Sequence, residues 1–289
     1  MANSTGASKA RANQVAREVQ KVAPSGWLEP AARIGYTAKG IVYTVIGVLA
    51  LQAAFGAGGQ TTGSKGALQQ IAGGTLGQVL LAVIGVGLAG YALWRLAMAV
   101  LDPKREGTGA KALVKRTGYA VSGLANGAIA FFAFRLLSGS GGSGGSGSGS
   151  KQQMTAKLMS QPFGRWLVGI GGALVIAAGL YHFYRAAKAK FMEKYNLGEM
   201  SRTERQGAWR IGRVGLTARG AAFAMIGWFF LQAALQAQPG EAGGLGQVFN
   251  ELLGQPYGPW LMAALAAGLV CYAVYCFSYA RYRHVKEAT

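Results

Sequence analysis

The sequence predicts an all-α polytopic membrane protein with six transmembrane helices, arranged as three tandem units of two spans each. Three observations lead to this prediction: six long stretches without a charged residue, cations gathered on alternate connections, and a short motif that recurs three times. Of the 289 residues, 51% are hydrophobic and 13% are charged, whereas soluble domains contain about 25% charged residues. Lipid is therefore the expected surroundings of the uncharged stretches.

Each stretch is long enough to cross the hydrocarbon core, which takes roughly 20 apolar residues in a helix. The third span is the shortest because Arg135 limits it, although the long Arg stem can extend outward to the interface. We expect the spans at residues 35–55, 77–100, 117–137, 164–187, 215–236 and 258–280.

The distribution of cations predicts the orientation. All but five of the 29 Lys and Arg residues fall on the side of the chain termini. Cytoplasmic loops are enriched in Lys and Arg, so both termini are predicted to be cytoplasmic. This asymmetry explains the net charge of +19 without nucleic acid, and anionic lipid headgroups are the expected partners of the cations. The five exceptions are Lys65, Arg135, Lys151, Lys157 and Arg165.

Two patterns mark the internal repeat. An Arg-x-Gly-x-x-x-x-Gly pattern opens the first span of each unit, at Arg33/Gly35/Gly40, Arg116/Gly118/Gly123 and Arg213/Gly215/Gly220. A Tyr followed three residues later by an aromatic residue closes each second span, at Tyr91/Trp94, Tyr181/Tyr184 and Tyr272/Tyr275. Arg95 and Arg185 follow the first two copies of this second pattern, and Cys276 follows the third.

The repeat predicts how the units are arranged. Because each unit holds two spans, all three share one orientation, and parallel repeats are related by an axis along the membrane normal. We therefore expect a pseudo-threefold bundle, either fully packed or enclosing a central cavity. The predicted divisions are a polar tail over 1–31 and units over 32–107, 115–196 and 212–285. The Gly/Ser-rich stretch 138–150 is expected to be a flexible outer loop, and its composition fits both a natural loop and an engineered linker.

Small residues form one stripe along the first span of each unit. Such residues at spacings of three and four let helix backbones approach closely, which drives association inside lipid. The stripe therefore predicts the packing face of these spans. Its members are Gly40, Thr44 and Gly47, then Gly123, Gly127 and Ala130, then Gly220, Ala224 and Gly227.

With these three Arg-x-Gly openings and paired spans, the chain resembles a family of bacterial membrane proteins catalogued as a domain of unknown function. In that family the two-helix unit is typically present three times, and the resemblance covers about residues 30–285. It implies the fold and a place in the bacterial cytoplasmic membrane, and it implies no activity. Mitochondrial carriers share the three-times-two layout, but their Pro-x-Asp/Glu-x-x-Lys/Arg signature has no counterpart here.

Groups that carry chemistry are scarce. Neither His182 nor His284 belongs to a His-Glu-x-x-His zinc motif, the single Asp is Asp102, and no carboxylate lies within a predicted span. No Gly-x-x-x-x-Gly-Lys-Ser/Thr phosphate loop is present. We therefore expect no enzyme activity, no cofactor and no metal. Cys271 and Cys276 are interpreted as small apolar side chains.

Polar residues at equivalent positions of the units form two candidate rings. The first is Lys39, Ser122 and Arg219, and the second is Gln52, Arg135 and Gln232. They could line a path that prefers anions, or they could be snorkelling cations and interfacial glutamines. Positions 39 and 52 lie about 140° apart around a helix, so a straight helix cannot direct both rings at one channel.

The repeated motif residues also allow two interpretations. Tyr91, Trp94 and Arg95 share one helix face near the membrane surface, as do Tyr181, Tyr184 and Arg185. They form either an aromatic belt with cationic anchors or a pocket for a lipid headgroup or anion, and the set Arg33, Arg116 and Arg213 allows the same two interpretations.

For the function of the whole protein, the preferred hypothesis is a non-enzymatic bundle that binds lipids, a partner protein or a second copy. The alternative is a pore or carrier for small anions or neutral solutes along the pseudo-threefold axis.

Overall fold

The computed structural model describes residues 28–100, 109–139 and 148–282, in which every regular element is a helix. The predicted polar tail lies outside the described residues up to position 27. The described α-helices are α1 (Leu28–Ala54), α2 (Ser64–Ile71), α3 (Gly74–Val100), α4 (Ala110–Leu137), α5 (Ser148–Met159), α6 (Gly164–Ala187), α7 (Arg202–Gln236), α8 (Leu245–Leu253) and α9 (Gly258–Tyr282).

Six of these helices are long and apolar enough to cross a membrane: α1, α3, α4, α6, α7 and α9. This confirms the six predicted spans, and five of them agree with the expected bounds to within a few residues. The short helices α2, α5 and α8 each lie between the two spans of a unit. We call the side where Leu28 and Tyr282 lie the termini face, and the side of the short helices the opposite face.

The helix α7 begins well before residue 215, its predicted start, because a capping box initiates it upstream. The Ser201 hydroxyl accepts a hydrogen bond from the Glu204 backbone N–H at 3.2 Å, and the Glu204 carboxylate accepts one from the Ser201 N–H at 2.8 Å. At 1.5 Å per residue, this 35-residue helix is about 52 Å long. The hydrocarbon core is roughly 30 Å thick, so the first turns of α7 extend past it on the termini face.

The most extensive helix contacts join the second span of one unit to the first span of the next. These pairs are α3 with α4, α6 with α7, and α9 with α1. Pairs within a unit, α1 with α3 and α7 with α9, pack less extensively. The same pairing thus occurs three times in cyclic order, as three units around a pseudo-threefold axis require, and the last pair closes the end of the chain on its beginning.

The bundle is open on one side, at the second unit. Among the described helices, α4 and α6 make little or no contact with each other, although they are the two spans of one unit. The spans therefore run around the bundle in the order α4, α3, α1, α9, α7 and α6. Only 17% of the span residues in each of α4 and α6 are buried, against 50% in α1 and 56% in α9.

The stripe of small residues lies at the three contacts between units. At most of these glycines a Cβ would come closer to the neighbouring helix than van der Waals contact allows, so the glycines set the distance between backbones. The pairs are Gly40 with Phe277 and Gly47 with Val270 on α9, Gly123 with Leu96 and Gly127 with Ala92 on α3, and Gly220 with Gly179 and Gly227 with Gly172 on α6.

Apolar side chains fill the middle of the bundle. They come from α1, α3, α4, α7 and α9, and they form one continuous core that also reaches the short helices α2 and α8. Aliphatic residues dominate it, as close packing without polar atoms requires. Its larger buried members include Val42, Ile46, Leu81, Ile84, Leu88, Phe132, Phe229, Met262 and Leu269.

On the opposite face, the short helices α5 and α8 turn sharply into the spans that follow them. Phe163 and Tyr257 occupy the left-handed region, with φ of 62° and 59°. A Cβ on the next residue, Gly164 or Gly258, would overlap carbonyl oxygens of the short helix. The two aromatic side chains are 78% and 81% exposed, as befits the interfacial level where aromatic residues gather.

The predicted coil over 138–150 differs from the structure at its end. Ser148–Ser150 form the first turn of α5, which continues into the polar sequence that follows. Residues 140–147 fall outside the described ranges. A Gly/Ser composition favours a coil, but three residues adjoining a helical segment are incorporated into its first turn.

The substitution Gly172→Val should lower stability, whereas Gly171→Val should not. A Cβ at position 172 would lie 2.8 Å from the Gly227 carbonyl oxygen and 2.9 Å from the Leu231 nitrogen, whereas nothing lies within 4 Å of a Cβ at 171. Overpacking costs about 1–3 kcal/mol, so the melting temperature of purified Gly172→Val in detergent should fall by about 5 °C. Both variants add one Val to the same helix, so equal melting temperatures would contradict the close α6–α7 contact.

Candidate functional site

Buried aromatic side chains gather where the spans meet at the termini face. Tyr36 lies edge-to-face with Tyr279 and with Tyr91, at ring-centroid distances of 4.6 Å and 5.4 Å. Each such pair contributes about 0.5–1.5 kcal/mol beyond its buried area. We call this group the aromatic cluster; its members are Tyr36, Tyr91, Trp94, Phe191, Tyr195, Tyr272, Tyr275 and Tyr279.

The segment between α6 and α7 closes the aromatic cluster from the termini side. Phe191 and Tyr195 of this segment are buried against Tyr275 and Tyr279. The Asn196 N–H donates a hydrogen bond to the carbonyl at the end of α9, at 2.7 Å. Burial raises the pKa of the Tyr195 hydroxyl.

Lys39 reaches into the aromatic cluster from α1. Its side chain is 7% exposed, and its ammonium lies 3.7 Å from the centroid of the Tyr91 ring and 5.9 Å from that of Tyr36. A cation over an aromatic face is stabilised by the ring quadrupole, by about 2 kcal/mol when both groups are desolvated. Ring faces from two spans therefore hold this charge.

Arg219 occupies the equivalent position on α7 and is held in a similar way. Its guanidinium carbon lies 4.5 Å from the Tyr272 ring centroid, 4.8 Å from that of Phe223 and 5.1 Å from that of Tyr43. The Nε and Nη1 atoms are buried and have no hydrogen-bond partner. Stacking satisfies the flat faces of the guanidinium but leaves these N–H donors unpaired.

Two further arginines lie closer to the membrane surface. The Arg95 Nε donates a hydrogen bond to the Tyr91 hydroxyl at 2.8 Å, and its guanidinium packs on the rings of Trp94 and Tyr119. Arg185 approaches the Tyr275 hydroxyl, with Nη2 at 3.5 Å. We call Lys39, Arg95, Arg185 and Arg219 the cation site.

Beyond the first turns of α1 and α7, the spans supply no carboxylate to balance these charges. The sequence contains no Asp or Glu over residues 30–101, 107–192, 205–240 and 252–286. The main charged neighbours of Lys39 are Arg219 and Arg95, which repel it. A buried charge without a counter-ion costs several kcal/mol, so the cation site has the chemistry to attract a small anionic group.

His182 borders the cation site from α6. Its ring lies edge-to-face with Phe223 at 5.5 Å, and its Nδ1 is buried without a hydrogen-bond partner. Within the described ranges, no three His, Cys, Asp or Glu residues come together as metal ligands.

The predicted polar rings are only partly brought together. Lys39 and Arg219 join in the cation site, but the described contacts do not connect Ser122 to them. The members of the second ring lie apart: Gln52 and Arg135 are exposed, and Gln232 lines a separate cavity. Ser122 lies on α4, which packs only at the edge of the bundle.

The three motif arginines have different surroundings. Arg116 caps the preceding unit: its Nε donates to the Ala99 carbonyl at 2.7 Å and its Nη2 to the Val100 carbonyl at 3.1 Å. Arg213 stacks on Trp209, with 4.7 Å between guanidinium carbon and ring centroid. Arg33 is exposed.

The aromatic pairs of the three units also differ. Those of the first and third units are buried in the aromatic cluster, whereas Tyr181 and Tyr184 of the second unit are 58% and 45% exposed. Three further tyrosines at this site, Tyr36, Tyr43 and Tyr279, lie outside the repeated patterns of the sequence. The spacing of Tyr36, Lys39 and Tyr43, at i, i+3 and i+7, places them on one face of α1 and is the signal that could have identified Tyr36 and Tyr43.

Arg165 has a structural role that the sequence pattern did not reveal. Its Nε and Nη2 donate to the Ala234 carbonyl at 3.2 Å and 3.1 Å, and its Nη2 also reaches the Leu235 carbonyl at 3.2 Å. These carbonyls belong to the last turn of α7, where a cation satisfies unpaired acceptors and complements the helix dipole. Arg165 thus caps the last turn of α7 on the opposite face, as Arg116 caps the last turn of α3 on the termini face.

The substitution Arg165→Met should lower the free energy of unfolding in detergent by about 1–3 kcal/mol, because two terminal carbonyls of α7 lose a charged donor. Lys157→Met is the matched control, since Lys157 is an exposed cation on the same face. Melting curves of the two purified variants measure the difference. Equal losses of stability in the two variants would show that the hydrogen bonds of Arg165 contribute nothing beyond its positive charge.

These features define a membrane protein built from three tandem two-span units, with buried cations at one end of the bundle. Three segments of the chain, residues 34–102, 117–189 and 214–283, match the model of the family described as Domain of Unknown Function (DUF1206). The chain belongs to this family, which confirms the resemblance seen in the sequence.

A bacterial relative matches the chain over most of its length. The protein named Uncharacterized protein YxxB of Bacillus subtilis (strain 168) is 34% identical over 259 residues, which cover 90% of this chain and 92% of that protein. No solved structure matches the chain. The family and this relative carry no assigned activity.

Proposed function

We propose that this protein is a non-enzymatic membrane protein that binds the anionic headgroup of a lipid at its cation site. The observation that carries the proposal is the buried guanidinium of Arg219, whose Nε and Nη1 have no hydrogen-bond partner. Ionisable groups inside a membrane are costly and generally mark functional sites. A phosphate oxygen would accept these N–H donors and neutralise the mutual repulsion of Arg219 and Lys39.

The outer arginines of the cation site extend the binding surface toward the lipid headgroup region. Arg95 and Arg185 lie on two different second spans, one residue after the aromatic pair of their unit. Both are half-buried, so their guanidinium groups can meet a headgroup at the membrane surface. Arg is well suited to this task because its planar fork binds phosphate through two parallel hydrogen bonds.

The proposed location is the cytoplasmic membrane of a bacterium, with the termini face in the cytoplasm. The excess of Lys and Arg on this face supports the orientation, and the bacterial relative supports the organism class. Anionic lipids of the cytoplasmic leaflet would then lie at the level of the cation site. Each nearby Lys or Arg contributes about 1 kcal/mol of attraction to such lipids.

The packing of the bundle favours a binding protein over a pore or carrier. The middle of the bundle holds buried aliphatic and aromatic side chains, which offer no polar group to a crossing ion. The residues of the second candidate ring, Gln52, Arg135 and Gln232, do not face one another around a shared axis. Selective pores depend on rings of polar groups that face one path.

Lipid binding is tested by thermal unfolding of the delipidated protein in detergent. Phosphatidylglycerol should raise the melting temperature by about 3 °C or more, since a ligand that binds the folded state stabilises it, whereas phosphatidylcholine should raise it much less. Arg219→Gln and Lys39→Gln should each remove at least half of the phosphatidylglycerol effect.

The control for this experiment is Lys65→Gln. Lys65 is also a half-buried cation over an aromatic ring, 5.3 Å from the Phe132 centroid, but it lies on the opposite face. The Lys65→Gln substitution should leave the rise in melting temperature with phosphatidylglycerol unchanged. If the cation-site variants keep the full effect, or if Lys65→Gln reduces it equally, lipid binding at the cation site is excluded.

Liposome flux separates the binding protein from a pore. Chloride and phosphate should leave vesicles that contain the protein no faster than they leave empty vesicles, because the filled core offers no hydrated path. Flux clearly above that of empty vesicles, and reduced by Arg219→Ala, would support the alternative of an anion path.

A further inference from the structure

A second polar site lies near the opposite face, distant from the cation site along α7. A cavity of about 370 Å³ opens between α7, the turn Pro239–Glu241 and α8. Its wall combines apolar side chains of α7 with two carboxylates, two amides and one indole. The polar and aromatic lining residues are Trp228, Gln232, Glu241, Gln247 and Glu251.

The charge of this cavity is negative, in contrast to the rest of the protein. Glu241 and Glu251 are two of only ten acidic residues in the chain, and both line the cavity. No Lys or Arg is among its lining residues. The nearest capping cation, Arg165, directs its guanidinium to the Ala234 and Leu235 carbonyls at the end of α7.

One acceptor in the cavity wall is buried and unpaired. The Nε2 of Gln247 donates to the Glu241 backbone carbonyl at 3.3 Å, which fixes the direction of the amide. Its Oε1 is buried without a hydrogen-bond partner. An acceptor left in this state costs about 1–3 kcal/mol, and a ligand with N–H donors would satisfy it.

The indole of Trp228 completes the chemistry. It is 51% exposed and lines the cavity beside the carboxylates. An aromatic face attracts an organic cation, most strongly when the ring is Trp. The cavity also borders Met225, which it shares with an apolar groove of about 470 Å³ that runs between α7 and α9.

We propose that this cavity binds the primary ammonium group of an organic amine through Glu241, Glu251 and Gln247, with the adjoining carbon atoms against Trp228. The carboxylates supply the counter-charge, and Gln247 Oε1 accepts one ammonium hydrogen. A primary ammonium is favoured over a quaternary one because only the former donates hydrogen bonds to these acceptors. The amine is either a free small molecule or the headgroup of an aminolipid whose chain lies in the apolar groove.

The proposal is tested with the full chain in detergent, by native mass spectrometry and thermal unfolding. Phosphatidylethanolamine and free ethanolamine are the probes, and phosphatidylcholine and free choline are their quaternary counterparts. We expect about tenfold tighter binding of the primary amines, equivalent to about 1.4 kcal/mol. Binding of ethanolamine itself identifies a free amine as a sufficient ligand, whereas binding of phosphatidylethanolamine alone identifies the lipid headgroup; both support the ammonium site.

Matched variants locate the binding. Glu241→Gln and Trp228→Leu should each weaken binding of the primary amine about tenfold. Glu193→Gln and Trp260→Leu should not, because Glu193 lies near the termini face and Trp260 is an exposed indole outside the cavity. The proposal is overturned if primary and quaternary amines bind equally, if neither primary amine binds, or if the cavity variants bind as the unaltered protein does.

Discussion

Close approach of helix backbones between neighbouring units is the contact on which the rest of the structure depends. Glycines on each first span bring it against the second span of the preceding unit, at α9, α3 and α6 in turn. Inside lipid, such contacts replace the hydrophobic effect as the source of helix association. They fix the cyclic order of the spans, and this order brings Tyr36 of the first unit against Tyr91 and against Tyr279 of the third.

Cations within this bundle are stabilised in two ways. Arg116 and Arg165 donate to the last carbonyls of a neighbouring span, where the helix dipole and unpaired acceptors favour a positive charge. Lys39 and Arg219 instead lie against tyrosine and phenylalanine rings. Ring faces attract a cation without offering a hydrogen-bond acceptor, so the second arrangement leaves donor capacity unused. This difference separates cations with a purely structural role from those that we assign to a site.

The spans and the family were predictable, because charge-free length and motif spacing are local properties of the sequence. The start of α7 was not, since the capping box of Ser201 and Glu204 lies outside the repeated pattern. Helix pairing was also beyond the sequence: the repeat delimits units, but the closest packing joins different units. Lys39, Ser122 and Arg219 occupy equivalent positions in the three units. For the same reason, this equivalence did not predict that Lys39 and Arg219 lie together in the cation site while Ser122 does not. The bundle is open between α4 and α6, and the equivalent position in the second unit lies at its edge.

The contact between α1 and α9 joins the first and last spans of the chain. During synthesis the first span must therefore wait in the bilayer, with its glycine face covered only by lipid, until the final span has been inserted. The cation site is completed in the same step, since α9 supplies Tyr272 beside Arg219. Contacts of α1 with α3 and of α3 with α4 can form as these spans emerge, whereas the contact of α1 with α9 forms last. Loss of the last span would therefore leave α1 and α7 without the neighbour that joins them.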